Sequence, residues 1–183
     1  MVKIKGTTVQ DSIAATKRRE GERRYAAIVT LLEPEYRRIF EGEIFDTAWY
    51  PLDAYVAFLG AGLQYTGDDP SVLTRRTEAL VERQLHGIYR VFVKLRSPES
   101  IVRRIAIIHR TYFSGTLVEY VIDEGGAQIR YMGFAVQHAL LDYALVGFYR
   151  KALEICGAKD VITEMTVPIA EGREYSELSI TWR

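Results

Sequence analysis

From Val118 onward the hydrophobic period of this chain switches from two to 3.6 and back to two, and that alternation limits what it can fold into. Val118, Tyr120 and Ile122 share one face of an extended segment, Glu124-Gly125-Gly126 supplies a turn, and Ile129 and Tyr131 continue on a partner strand. Between 136 and 156 the apolar residues Leu141, Leu145, Phe148, Ala152 and Ile155 recur at helical spacing, and Gly157 provides a stop. Val161, Thr163, Met165 and Val167 then alternate with Ile162, Glu164 and Thr166. After a turn over 168–172, Leu178, Ile180 and Trp182 alternate with Glu177, Ser179 and Thr181. Two hairpins flanking one long helix, ββαββ, predict a four-stranded antiparallel sheet with that helix laid across its apolar face.

The residues before Gly115 read as helices. Residues 1–6 look extended. Helices are predicted over 7–17, over 22–32 through Tyr25, Ile28 and Leu32, and after Pro34 through Tyr36, Ile39 and Phe40. Pro51 opens another, with Leu52, Tyr55, Val56, Leu59 and Leu63 on its buried side. Asp69-Pro70 and Ser97-Pro98-Glu99 each place a capping side chain before a proline at the first helical position, which predicts helices over 70–95 and 98–113. Leu73, Leu80, Leu85, Ile88, Phe92 and Leu95 line the first; Ile101, Ile105, Ile108 and Tyr112 line the second. The fold class is α+β: one domain, 1–183, mainly helical over 1–113 and sheet-forming with one long helix over 114–183.

A chain of 183 residues can bury a full core, and its 24 basic and 24 acidic side chains cancel, so no polyanion is favoured as partner. Residues 75–110 do carry nine Arg or Lys (Arg75, Arg76, Arg83, Arg90, Lys94, Arg96, Arg103, Arg104, Arg110) against Glu78, Glu82 and Glu99. No aromatic is threaded through them in a nucleic-acid-binding pattern, so they read as solvated helix faces or as a docking surface for a protein partner. Cys156 is the one cysteine, which excludes an internal disulfide and points to a reducing compartment. The N-terminus has no apolar leader and no run reaches the roughly 20 apolar residues of a membrane span, so the expected location is the cytoplasm.

Catalytic and metal signatures are missing. His86, His109 and His138 stand at no metal-ligating spacing, and no cofactor motif is present. Ser114 lies in no nucleophile elbow, and Cys156 sits at a helix C-terminus, the end that raises a thiol pKa. Gly60-Ala61-Gly62 falls within a helical pattern, so its glycines point to close helix packing more than to a phosphate loop. The chain does not read as an enzyme. What stands out is aromatic: Tyr112, Phe113, Tyr131, Phe134, Tyr143 and Phe148, with His109, all fall in the sheet-and-helix region. They are the candidate lining of an apolar pocket whose few polar atoms would orient a hydrophobic small molecule.

Trp49-Tyr50-Pro51-Leu52, Ser97-Pro98-Glu99, Tyr112-Phe113-Ser114-Gly115, Gly147-Phe148-Tyr149, Gly157-Ala158 and the terminal Glu177-Leu178-Ser179-Ile180-Thr181-Trp182 together resemble a bacterial paralogous family of unknown function, much expanded in myxobacteria. The helices-then-ββαββ layout also resembles a wider superfamily. It comprises 4-vinyl reductase domains, haem-NO-binding domains and the small subunits of Golgi transport-particle complexes. That resemblance implies a hydrophobic small-molecule pocket, a sensory or adaptor role in signalling, and a protein partner or homodimer. Haem is not implied. The haem-binding branch carries Tyr-x-Ser-x-Arg, and the nearest match, Tyr112-Phe113-Ser114-Gly115-Thr116, has threonine in place of the arginine. The metal and cysteine features of the 4-vinyl reductase branch are missing, and Cys156 does not match the acylated cysteine of the transport-particle subunits. The expected function is a ligand-binding or sensory domain; the alternative is an adaptor module without ligand that uses the arginine-rich helices.

Overall fold

The computed structural model describes residues 1–86 and 97–183. It divides into two compact units, one of residues 1–70 with 111–115 and one of residues 71–110 with 116–183.

The first unit holds four helices, α1 (Gly6–Glu20), α2 (Glu22–Thr30), α3 (Pro34–Glu41) and α4 (Leu52–Thr66). It also holds a small antiparallel sheet in the order β2 (Trp49–Pro51), β1 (Lys3–Lys5), β3 (Phe113–Ser114). Pro34 starts α3 because its fixed φ suits the first helical turn, where its missing N–H leaves nothing unsatisfied. Pro51 ends β2 and precedes α4 as its N-cap, so it does not open the helix from within. The core gathers Ile28, Leu52 and Phe58, with Phe40 stacked on Phe58 at 4.6 Å. Two buried hydroxyls are satisfied: Tyr25 donates to the Phe40 carbonyl at 2.9 Å, and Ser12 and Tyr55 share a bond of the same length. Gly6 admits no side chain, since a Cβ there would run into the Phe45 carbonyl. Gly62 differs from the expectation of close packing: a Cβ added there meets nothing within 4 Å.

In the second unit α5 spans Val72–His86, two residues later than Asp69-Pro70 suggested, because Pro70 and Ser71 form a turn ahead of it. Its expected continuation through Ile88, Phe92 and Leu95, and the basic residues Arg90, Lys94 and Arg96, lie outside the described residues. The Ser97-Pro98 start is as read from the sequence: the Ser97 hydroxyl accepts the Ser100 N–H at 3.3 Å. The expected single helix over 98–113 is broken at Arg104 into α6 (Pro98–Arg103) and α7 (Ile105–Tyr112), and Phe113 already belongs to β3.

The ββαββ reading holds. Strands β4 (Leu117–Asp123), β5 (Gly126–Met132), β6 (Ile162–Val167) and β7 (Tyr175–Thr181) form one antiparallel sheet in the order β4-β5-β7-β6. Asp123 pairs with Gly126, leaving Glu124-Gly125 as a two-residue hairpin loop in which Gly125 takes the positive φ of 72° that such turns require. Ala127, Ile129 and Tyr131 on β5 and Ser176, Leu178 and Ile180 on β7 point inward and are buried. Helix α8 (Leu141–Ile155) packs on this face. Its buried positions are Leu141, Leu145, Tyr149, Ala152 and Leu153, so the stripe turns through Tyr149 and Leu153 where the sequence suggested Phe148 and Ile155. Helix α5 lies on α8 at Gly147, where a Cβ would stand 3.0 Å from the carbonyl carbon of Thr74 and closer still to its oxygen. Arg150–Glu78 (3.2 Å) and Lys151–Glu82 (3.3 Å) ion pairs join the same two helices.

Candidate functional site

Helix α7, the end of β5 and the connection that follows it bring four rings together inside the second unit. His109 lies 5.4 Å from Tyr131 and 6.2 Å from Phe134, centroid to centroid; Tyr131 lies 5.9 Å from Phe134, which in turn lies 6.1 Å from His138. Each placement has a local cause. Ile105, Ile108 and His109 form the buried side of α7. Tyr131 is the last inward position of β5. Beyond Gly133, whose φ of 99° turns the chain, the short 3-10 turn Val136–His138 carries Phe134 and His138 back against the strand end.

Most polar atoms of this cluster are hydrogen-bonded inside the unit. His109 is 4% exposed, and burial pushes its pKa down to about 4, so the ring is neutral. Its Nε2 shares a 2.6 Å hydrogen bond with the Thr116 hydroxyl. His138 accepts the Ala135 N–H at Nδ1, 3.0 Å, which places the proton of the neutral ring on Nε2. Tyr131 donates to Tyr149 at 2.7 Å, and burial raises both phenol pKa values further above the usual range. Ser176, directly across from Tyr131 in the β5–β7 register and 5% exposed, holds a buried hydroxyl with no hydrogen-bond partner. In the first turn of α8, Asp142 accepts the Ile169 N–H at 3.1 Å, and burial lifts its pKa to about 6.

Of the seven candidate residues, the structure gathers His109, Tyr131 and Phe134. Phe148 stands edge-on to Tyr149 at 5.2 Å and is half-buried, one position off the buried stripe of α8. Tyr143, 36% exposed, presents its backbone carbonyl to the Thr74 hydroxyl of α5 at 3.1 Å. Tyr112 and Phe113 belong to the first unit, where Phe113 pairs with Ile4 at the edge of the small sheet. Sequence reasoning gave Tyr149 no polar role and overlooked Ser176. A helical phase one residue further on would have selected Tyr149; no sequence signal marks an unpartnered serine.

The sequence matches no protein-family model and no curated protein. Solved structures do resemble it. An H-NOX protein from S. oneidensis in the Fe(II)NO ligation state superposes with a TM-score of 0.74 at 13% identity, covering 98% of this chain and 99% of that one. The Fe(II) unliganded H-NOX protein from K. algicida gives 0.72 at 14% identity over 98% and 96%. An oxygen-binding H-NOX domain related to soluble guanylate cyclases, in its oxygen complex, gives 0.69 at 12% over 98% and 95%. The chain therefore has the H-NOX fold, an α+β arrangement of N-terminal helices followed by a sheet.

That fold implies a haem, and the described side chains do not fit one. His138 accepts a backbone N–H at Nδ1, which leaves the proton on Nε2 and no lone pair there for iron, and His109 spends Nε2 on the Thr116 hydroxyl. Haem propionates need a cation, since an unpaired buried carboxylate is costly. Thr116 stands at the arginine position of the Tyr112 segment, and Gly133 and Ala135 follow Tyr131 at the same spacings, so neither tyrosine brings one. The Tyr131 hydroxyl is already spent on Tyr149. Among the described residues no cluster of three or more His, Cys, Asp or Glu could hold a metal ion, and no helix is long and apolar enough to cross a membrane.

Proposed function

We propose that this chain is a non-enzymatic, small-molecule-binding sensory domain that works in signalling without haem. The ring cluster carries the reading: it combines apolar walls from Tyr131 and Phe134 with the neutral His109 ring and the buried Ser176 hydroxyl, the chemistry of a site for an uncharged, largely apolar ligand. The fold supports a sensory role, because two of the solved domains that share it are described in an NO-ligated state and in an oxygen complex. In this reading the domain is cytoplasmic, belongs to the myxobacterial-type paralogous family, and passes its signal through a protein partner or a homodimer. On the same reading Tyr131, Phe134 and His109 line the site, with Tyr143 and Phe148 as further lining positions.

The test is a thermal-shift series on the purified chain with toluene, indole and 4-hydroxybenzaldehyde, beside a haemin titration followed by absorbance. At least one aromatic should raise the midpoint; a ligand at about 100 times its Kd adds about 2.7 kcal/mol. Phe134→Ala should abolish that rise, and haemin should give no Soret band tied to His109. A His109-dependent Soret band with no response to any aromatic would overturn the proposal.

A further inference from the structure

The two edges of the four-stranded sheet are built differently. The β6 edge is blunted: its pairing with β7 slips between Met165 and Val167, and Pro168 follows at once. The β4 edge has no bulge or proline; α6 approaches it where the Tyr120 hydroxyl donates to the Arg103 carbonyl at 3.4 Å, and among the described residues no strand pairs with its outer side. Its seven residues pair with β5 in unbroken register, and Leu117-Val118-Glu119-Tyr120-Val121-Ile122-Asp123 contains no proline and no lysine. Such a strand is a template for another chain, since its outer backbone groups are set at strand spacing.

Its side chains say what would be accepted. Leu117 and Val121 point to the outer face and are 70% and 60% exposed, with Glu119 between them. Val118, Glu119, Tyr120, Val121, Gln128 and Arg130 line an open hollow of about 360 Å³ against this strand. Arg130 is committed elsewhere: it donates to Glu177 at 2.7 Å and stacks over Tyr175 at 4.7 Å. The edge itself is acidic, with Glu119, Asp123 and Glu124 on β4 and its turn. This acidic set favours a cationic partner: a cation with an aliphatic stem would meet Glu119 over Val121.

We infer that the free edge of β4 docks an extended segment of a partner protein in which aliphatic and basic residues alternate, adding it to the sheet as a fifth strand. The segment's main chain pairs with β4, its aliphatic side chains cover Leu117 and Val121, and its cation faces Glu119. This surface is independent of the ring cluster and gives a sensory domain of this fold a place to pass its signal on.

The whole chain is titrated calorimetrically with an end-blocked peptide of alternating valine and lysine. Two controls accompany it: a valine–glutamate peptide, and a lysine–proline peptide that carries the same charge but cannot pair as a strand. The valine–lysine peptide alone should bind, and Glu119→Lys or Val121→Lys should each weaken it roughly tenfold or more while thermal midpoints stay at the wild-type value, because both side chains are exposed. Glu119→Gln, a milder change, should weaken it less than Glu119→Lys. Equal binding of the lysine–proline peptide, binding unaffected by either lysine variant, or no binding at all would overturn the inference. So would a wild-type dimer that Val121→Lys dissociates, since the edge would then belong to a second copy.

Discussion

Helix α8 can lie as close to α5 as it does only because residue 147 has no side chain, and the size of that constraint can be worked out. A Cβ there would sit 3.0 Å from the Thr74 carbonyl carbon and 3.1 Å from its Cα, with the oxygen nearer still. Carbon and oxygen approach without strain to about 3.3–3.6 Å, so Gly147→Ala must push the two helices apart by roughly 1 Å. Overpacking costs about 1–3 kcal/mol, and because the atoms met here are backbone and cannot rotate aside, the upper part of that range, about 2–3 kcal/mol, applies. Alanine returns about 1 kcal/mol through its better helix propensity, leaving a net loss of about 1–2 kcal/mol. The Arg150–Glu78 and Lys151–Glu82 pairs bridge the same helices and resist their separation. For a chain of this length the midpoint should fall by roughly 2–8 °C. Gly62→Ala supplies the contrast. A Cβ there meets nothing within 4 Å, so only the propensity gain remains, and the midpoint should rise by roughly 2–4 °C. Urea and thermal unfolding of both variants decide the matter. A Gly147→Ala protein as stable as the wild type would refute the close approach, and a destabilised Gly62→Ala would refute the open space.

Either Tyr131→Phe or Tyr149→Phe leaves the partner's buried hydroxyl unsatisfied and should cost about 1–3 kcal/mol in urea unfolding, whereas the double variant, which removes both, should lie closer to wild type than the sum of the two. The pH dependence should show two opposed contributions. His109 is held below its usual 6.5, at about 4, so the stability that goes with its neutral ring is complete above pH 6.5 and is lost as pH falls toward 4. Asp142 is held above its usual 3.8, at about 6, so its contribution is complete below pH 3.8 and is lost as pH rises through 6. Asp142→Asn should therefore steepen the loss of stability on acidification from pH 6.5 to 4, and His109→Gln should flatten or reverse it. Unfolding midpoints at half-unit pH steps that coincide for wild type and both variants would refute the assignment.

The sheet-forming third was legible because its strands are six or seven residues long, enough for alternation to show, and because the helix between them differs in period. The small sheet of the first unit was not: strands of three, three and two residues carry no period, and Trp49-Tyr50-Pro51 read only as the approach to a helix. The stripe of α8 was misphased by one because Phe148 and Tyr149 are adjacent and both aromatic, so hydrophobicity alone does not choose between them. Glycine was read with the wrong emphasis. Propensity marks Gly62 and Gly147 alike as costly in a helix, and only the neighbouring helix decides which one is needed. His109, Tyr131 and Phe134, singled out from aromatic composition, lie together in the structure, while Ser176 joins them through strand register, which the sequence does not display.

The bond between the Tyr131 and Tyr149 hydroxyls reaches from strand to helix through the interior of the second unit. Contacts among aliphatic side chains change little when one layer creeps a fraction of an ångström over another, so they resist such creep weakly. A directional bond between two phenols is made or lost outright. Sliding α8 over its sheet would therefore break this bond outright, so a displacing force would meet a threshold before it met a response.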